Sequence, residues 1–453
     1  MTDAADSDAV SDTTVCVIGA GYVGLVTAAA LASNGHTVRL LDVSPERVAE
    51  IGAGRSPIYE PGLDELVART VAGGALQATT DATLAMSGAG IIVIAVGTPP
   101  LPTGGADLRQ VEEALGSAAA HAQDGAVVVL KSTVPPGTMV ALQSVVTGSP
   151  RGLALVTCPE FLREGRAVED VLTPARVVVG GFDTVACARV ERVFGGARVP
   201  VMRTDPTSAE MIKYGSNAFL ALKISFINEI AYLCELIGAE VDEVADGIGA
   251  DPRIGRAFLD AGAGFGGSCF PKDVDALEDT AGAHGHFFWL LRAATEVNLE
   301  QRRRIVNKVE RALDGGVNGR RIAVLGIAFK PGTDDIRQAP ALDVIDRLQD
   351  RGATVRASDP MALENARGMV RAAELVADPY ECVRDADAVV VLTEWPEYLE
   401  LDWARVASIV SNRLVVDGRN CLDHAQLTGA GFTYLSVGRS ARTPGTPAPE
   451  PAP

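Results

Sequence analysis

Cys269 closes a run in which four of six residues are glycine, Gly262-Ala-Gly264-Phe-Gly266-Gly267, with Ser268 between; Lys272 and Asp273 follow. Four glycines make a poor helix or strand but a loop that lets backbone approach a ligand closely. A cation and backbone N–H groups beside a thiol stabilise the thiolate, the form that attacks a carbonyl carbon. An isolated cysteine is usually a small, inert buried residue; the loop around Cys269 favours the nucleophile.

Two carboxylates stand in Cys158-Pro-Glu160-Phe161-Leu162-Arg163-Glu164-Gly165. Were this a helical turn, Glu160 and Glu164 would share a face and could act as base and positioning group; surface ion pairing is the plain alternative. Glu210, Lys213 and Asn217 are spaced i, i+3, i+7 in an apolar stretch, which sets them on one helix face. A desolvated lysine there would favour its neutral form and could pass protons, while an ordinary amphipathic helix would need no such role. Thr98 and Thr133 lie in Pro/Gly-rich turns (97–100 and 131–138) that read either as plain turns or as hydroxyls aimed at a ligand.

Gly19-Ala-Gly21-Tyr22-Val23-Gly24 follows the apolar run 15–18 and opens a helical stretch, 22–34. In that setting the first glycine makes the tight turn, the second admits a pyrophosphate and the third lets helix and strand pack. The helix N-terminus adds N–H donors and partial positive charge. Asp42, at the end of the next strand, stands where a carboxylate accepts from both ribose hydroxyls. Its charge repels a 2′-phosphate and favours NAD over NADP, with Arg47 nearby as a small allowance for the latter. Lys330 and Arg337, in the loop after a later strand, could contact a diphosphate.

Something must hold these groups in place. Apolar runs at 91–96, 126–131, 153–157 and 176–181 continue the strand–helix rhythm of 15–42, as buried parallel strands do. Residues 208–237 contain no proline and a single glycine, with apolar residues at helical spacing. The rhythm restarts at 319–326 and continues at 353–359, 386–393 and 413–418. The expected fold is α/β: two Rossmann-like, doubly wound parallel-sheet domains joined by a central helical domain with a long spine helix. The boundaries are 13–205 for the dinucleotide lobe, 206–313 for the helical middle and 314–438 for the second lobe, between disordered ends at 1–12 and 439–453.

The 453 residues suffice for several domains. A formal charge of −18 opposes nucleic acid and anionic membrane surfaces as main partners, and no apolar run reaches a membrane span. Seven scattered cysteines without a C-x-x-C pair point to reduced thiols in the cytoplasm and to no metal site.

GAGYVGL, STVPPGT, PEFLREG, EMIKYGSNAFLALKISFINE, FLDAGAGFGGSCFPKD and AFKPGTDDIR, in this order over about 14–419, resemble the nucleotide-sugar 6-dehydrogenases. The resemblance implies oxidation of a sugar C6 alcohol to a carboxylate, with two hydrides passed to two NAD and one water consumed. It implies Cys269 as the nucleophile that captures the aldehyde, Lys213 and Asn217 as the oxyanion pair, and Thr133 and Asp273 as holders of the water. Glu160 and Glu164 match the acid/base and positioning carboxylates. Phe161, Leu162, Arg163, Glu164, Lys213, Asn217, Arg253, Phe258, Gly266, Cys269, Phe329, Lys330 and Arg419 match contacts to the nucleotide sugar. Thr98, Thr133, Glu164 and Arg337 match further NAD contacts. FGGSCFPKD and FLREG favour UDP-glucose over GDP-mannose, and Ser268 replaces the histidine of enzymes for N-acetylated hexosamines. Gln338 stands where a serine before the Ala-Pro is common. At least a homodimer is implied, and the long helix would suit its interface. A silent nucleotide-sugar-binding regulator and a two-electron hydroxyacid dehydrogenase are the rival readings.

Overall fold

A computed structural model describes residues 14–195 and 199–445; the expected disordered N-terminus, 1–12, and the tail from 446 lie outside them. These residues form two compact units that divide between Ser216 and Asn217.

The first unit is built on an eight-stranded sheet: β1 (Thr14–Ile18), β2 (Thr37–Leu41), β3 (Leu76–Thr79), β4 (Ile91–Ile94), β5 (Val127–Leu130), β6 (Ala154–Thr157), β7 (Val177–Gly180) and β8 (Val201–Thr204), in the order 3-2-1-4-5-6-7-8. All neighbours run parallel except β6 and β7, which meet antiparallel at Thr157 and Gly180. Strands β4, β5 and β7 are buried along their whole length, so their valine and isoleucine runs pack on both faces. The order reverses between β1 and β4, which opens a crevice at their C-terminal ends.

The second unit repeats the plan with β9 (Arg321–Leu325), β10 (Thr354–Ser358), β11 (Glu374–Leu375), β12 (Ala388–Val391), β13 (Leu414–Asp417) and β14 (Thr433–Ser436), ordered 11-10-9-12-13-14. The helix Trp289–Ala312 and the C-terminal half of the helix Pro206–Ile237 pack into the same core: Ile227, Ala231, Ile305, Val306 and Val309 cluster with Val324, Val389 and Val415. The expected central region, 206–313, thus shares its core with the second lobe from residue 217 onward rather than enclosing one of its own. Among the described residues no helix is long and apolar enough to cross a membrane.

The tail begins later than the sequence suggests. Arg439 bonds Asp242 (2.5 Å) and the Asn420 carbonyl (2.9 Å), and Arg442 bridges to Tyr434 and pairs with Glu240 (3.1 Å). Two arginines in a stretch otherwise rich in proline and small polar residues find carboxylates on the unit, and these hold 439–442 in place.

The two sheets treat one position differently. Asp42 follows β2 and Asp359 follows β10, both buried. Asp42 accepts from two backbone donors, Ala20 N–H to Oδ2 (2.6 Å) and Ser44 N–H to Oδ1 (2.9 Å). Asp359 takes five: Ile327 and Ala328 N–H and Trp395 Nε1–H on Oδ2, Met361 and Ala362 N–H on Oδ1. A carboxylate offers about four lone-pair sites, so Asp359 is saturated and Asp42 is not.

Candidate active site

In the first unit the turn after β1 sorts its glycines by what surrounds them. A Cβ at Gly19 (φ 101°) would lie 2.6 Å from the Ala95 carbonyl oxygen, and one at Gly24 1.8 Å from that of Gly19. At Gly21 a Cβ would meet nothing within 4 Å. The glycine with open space is the one through which a pyrophosphate would approach, and Gly21 caps the helix Tyr22–Ser33 with no side chain on its N–H groups. Asp42, with two backbone donors on its carboxylate, keeps acceptor capacity for further donors. The residues present fit an NAD, with Gly19, Gly21, Tyr22, Val23 and Gly24 at the phosphates and Asp42 at the ribose; Arg47 is exposed on the next helix. Asp42→Ala is expected to weaken NAD binding about 10- to 100-fold, since a hydrogen bond to a charged group contributes roughly 1.5–3 kcal/mol and 1.4 kcal/mol is tenfold. Titrating NAD against protein fluorescence checks this; unchanged affinity would place the ribose elsewhere.

The loops after β4 and β5 meet: Thr98 Oγ1 donates to the Thr133 carbonyl at 2.9 Å, and Ser132 Oγ to that of Val96 at 2.7 Å. Glu210, near the start of the long helix, accepts from Gly137 N–H (2.7 Å) and Met139 N–H (2.9 Å) at the N-terminus of the helix Thr138–Thr147. Burial pushes its carboxyl up to about 7, against the pull of these donors. Glu210 so fastens the helix bearing Lys213 to the loop bearing Thr133.

Residues 158–163 form no helix; Pro159 and the Glu160 side chain, which accepts from Leu162 N–H at 2.5 Å, set a local turn instead. Glu160 and Glu164 therefore do not share a helix face. Glu160 pairs with Lys213 at 2.8 Å, the two side chains only 6% and 4% exposed. Burial raises the Glu160 carboxyl, but the Lys213 ammonium and the Leu162 N–H outweigh it and hold it below the ordinary value. Lys213 is thus held as one half of an ion pair rather than as the neutral amine that desolvation alone suggests. Its Nζ lies 5.5 Å from the Phe161 ring centroid, and the Arg176 guanidinium stacks on that ring at 4.0 Å. A cavity of about 310 Å³ is lined by Glu160, Phe161, Leu162, Arg163, Lys131 and Arg176 among others. Arg163 itself turns to Asp170 (2.6 Å). Arg176 escapes a sequence reading because it opens a buried valine strand and meets Phe161 only in the fold.

In the second unit Cys269 is the N-cap residue of the helix Phe270–Ala283, partly exposed, with Ser268 Oγ 3.5 Å from its sulfur. A helix N-terminus stabilises negative charge, the charge an attacking sulfur carries. Asp273, 1% exposed, accepts from Asn217 Nδ2 (2.6 Å) and Lys272 Nζ (2.7 Å). Asp273 N–H donates to the Cys269 carbonyl (2.9 Å), so the helical turn that starts at Cys269 carries the partner of Asn217, and Lys272 pairs with the same carboxylate.

The glycines before Cys269 face protein. A Cβ would lie 2.8 Å from the Gly418 carbonyl at Gly262, 2.3 Å from Asn298 Oδ1 at Gly264, 2.4 Å from the Gln338 carbonyl at Gly266 and 2.8 Å from the Phe329 ring at Gly267. Their smallness presses the loop onto its supports. Asn298 both accepts from Phe265 N–H (2.8 Å) and donates to its carbonyl (3.0 Å), Gln301 donates to Gly262 (3.1 Å), and Arg302 to Phe265 and Gln338 (both 3.2 Å). Gln338 itself adopts a left-handed φ of 54°. Phe265 meets Phe270 edge-on at 6.0 Å, and Phe258 stands 6.2 Å from Phe270.

The arginines expected at a diphosphate are engaged locally. Arg253 forks onto Asp251 and Arg337 onto Asp335, two residues back in each case. Arg419 donates to the carbonyls of Phe329 (2.7 Å), Leu392 (2.7 Å) and Gly264 (3.3 Å) and works here as a clamp between loops. Lys330 lies 5.1 Å from the Phe329 ring centroid.

Comparison with known proteins follows this geometry closely. Residues 13–197 match the UDP-glucose/GDP-mannose dehydrogenase family, NAD binding domain; 207–300 match its central domain and 323–424 its UDP binding domain. The UDP-glucose 6-dehydrogenase TuaD of Bacillus subtilis (strain 168) is 45% identical over 431 residues, 94% of this chain and 93% of that protein. The UDP-glucose 6-dehydrogenase of Rhizobium meliloti (strain 1021) is 44% identical over 433 residues, 94% and 99% of the two chains. The structure of a UDP-glucose dehydrogenase from the hyperthermophilic archaeon Pyrobaculum islandicum superposes with a TM-score of 0.88 at 39% identity, covering 96% of this chain and 99% of its own. Three matches in chain order and this degree of identity over nearly the whole length lead to one conclusion: the chain belongs to the UDP-glucose/GDP-mannose dehydrogenase family.

Proposed function

We propose that this protein oxidises UDP-glucose to UDP-glucuronate, taking four electrons from C6 in two steps with NAD and adding the oxygen of one water. The observation that carries this reading is the placement of Cys269 at a helix N-terminus beside the Asn217–Asp273 pair, in a chain whose first unit fits a dinucleotide. NAD, when bound, supplies the acceptor for the hydride removed at each oxidation.

The chain's own part runs as follows. The C6 hydroxyl loses its proton as hydride departs, which gives an aldehyde. Cys269 Sγ then forms a bond to that carbon, and Lys213 and Asn217 stabilise the oxygen of the thiohemiacetal. Loss of the second hydride and the hydroxyl proton leaves a thioester. Water held by Asp273 and Thr133 attacks it, the C–S bond breaks, and the thiolate and the acid separate. The Glu160 carboxylate fixes the ammonium of Lys213 where oxygen charge develops, a preorganised electrostatic role. Glu164 is assigned to positioning beside it, and Phe161, Leu162 and Arg163 to the sugar side; Arg253, Phe258, Gly266, Phe329, Lys330 and Arg419 are assigned to the nucleotide and Arg337 to NAD. Capture on Cys269 keeps a reactive aldehyde from escaping between the two oxidations.

The test is a count. Purified protein with limiting UDP-glucose is expected to yield two NADH per sugar; one NADH would mean a two-electron dehydrogenase, and preference for GDP-mannose would reassign the substrate. We read the exposed row Phe219, Phe226, Leu233, Leu236 and Ile237 on the long helix as support for a homodimer, and the seven cysteines, none of them in a disulfide, as support for a cytoplasmic setting.

A further inference from the structure

Glu60 lies outside every motif named above, in the turn before the helix Leu63–Ala72. It is 5% exposed, and its carboxylate takes three donors from two distant segments. Tyr22 of the dinucleotide turn donates its hydroxyl to Oε2. Gly165 N–H donates to the same oxygen at 2.7 Å, and Ala167 N–H to Oε1 at 2.7 Å. Gly165 N–H also reaches the Tyr22 hydroxyl oxygen at 3.1 Å.

We infer that Glu60 is a positioning residue that couples the dinucleotide turn to the Glu164 loop. Gly165, at φ 78°, is the hinge of that loop, directly after Glu164 and ahead of the short helix Ala167–Leu172. Its amide and the first amide of the helix share the Glu60 carboxylate as acceptor, and that group is bound by Tyr22, the first residue of the helix at the dinucleotide turn. A displacement of Tyr22 therefore moves the acceptor on which the loop hangs. Burial first, then the hydrogen bond to Glu60 and the charges of Glu60 and Glu164, hold the Tyr22 hydroxyl in its protonated state far above the usual range, so the donor at the head of the chain is permanent. A cap serving only the short helix would need no tyrosine.

The inference rests on the NAD reading of the turn but not on the identity of the sugar, and its test uses NAD alone. Hydrogen exchange of the peptide spanning 164–168 is followed by mass spectrometry with and without saturating NAD. The wild-type protein is expected to slow exchange there at least fivefold on binding NAD. Glu60→Gln, in which one oxygen acceptor becomes a donor, is expected to bind NAD within about threefold of wild type yet show less than twofold slowing. Tyr22→Phe, which leaves Glu60 on Gly165 and Ala167, serves as the second variant should the first fail to fold, and is expected to lose the slowing too. NAD-induced slowing retained in both variants, or absent from wild type that binds NAD, overturns the coupling. Failure of wild type to bind NAD at all would instead remove the cofactor reading and the coupling with it.

Discussion

Cys269→Ser is expected to lower turnover of UDP-glucose by roughly 10⁴-fold, with NAD affinity kept within a few-fold. A hydroxyl at the same helix N-terminus is a far weaker nucleophile than a thiolate, and removal of a group that forms the covalent bond has costs of this order or larger. The cofactor turn lies in the other unit and contains no part of the cysteine loop, so binding of NAD provides an internal control. Mass spectrometry of rapidly quenched wild-type protein is expected to find the cysteine peptide carrying the mass of the acyl group, and the serine variant to lack it. Near-normal production of the acid by Cys269→Ser would end the thioester scheme, whatever the substrate.

Lys213→Ala is the second large effect, and it separates two roles. The ion pair with Glu160 is buried on both sides, and removing one partner of such a pair costs about 3–5 kcal/mol because the remaining charge is left without compensation. A drop of several degrees in Tm is the expected reading. Turnover is expected to fall about 10²–10³-fold as well, the loss typical of one preorganised charge at a developing oxyanion. The double variant Lys213→Ala/Glu160→Gln removes the orphaned charge and is expected to recover most of the lost Tm but none of the lost kcat. Were stability not recovered, the pair would not be the source of the cost; were turnover recovered, Lys213 would have no part in the chemistry.

Much of this was readable from the chain because it is local. The 15–18 strand, the glycine turn and the 22–34 helix stand within two residues of where periodicity puts them, since each glycine answers a contact inside its own βα unit. Short edge strands such as β3, β11 and β14 carry no continuous apolar run and went unread for that reason. The antiparallel entry of β7 is equally silent, because a buried Val-Val-Val strand looks the same in either direction. At the site, spacing put Asn217 and Lys213 on one helix face but said nothing of their partners, Asp273 and Glu160, which lie 56 and 53 positions away. The glycines at 262–267 were legible as a demand for closeness, while what they approach, Asn298, Gln338 and Phe329, is set by elements that follow in the chain. Arg253 and Arg337 each fork onto an Asp two residues earlier, a D-x-R pattern that local reasoning can find.

The saturation of Asp359 bears on timing. With every lone pair of that carboxylate already occupied by its own lobe, the ribose seat proposed at Asp42 has no counterpart there, and a four-electron oxidation would pass through a single berth used twice. The half-oxidised sugar has to wait while one carrier departs and the next arrives, and a covalent tether is what makes such queueing safe.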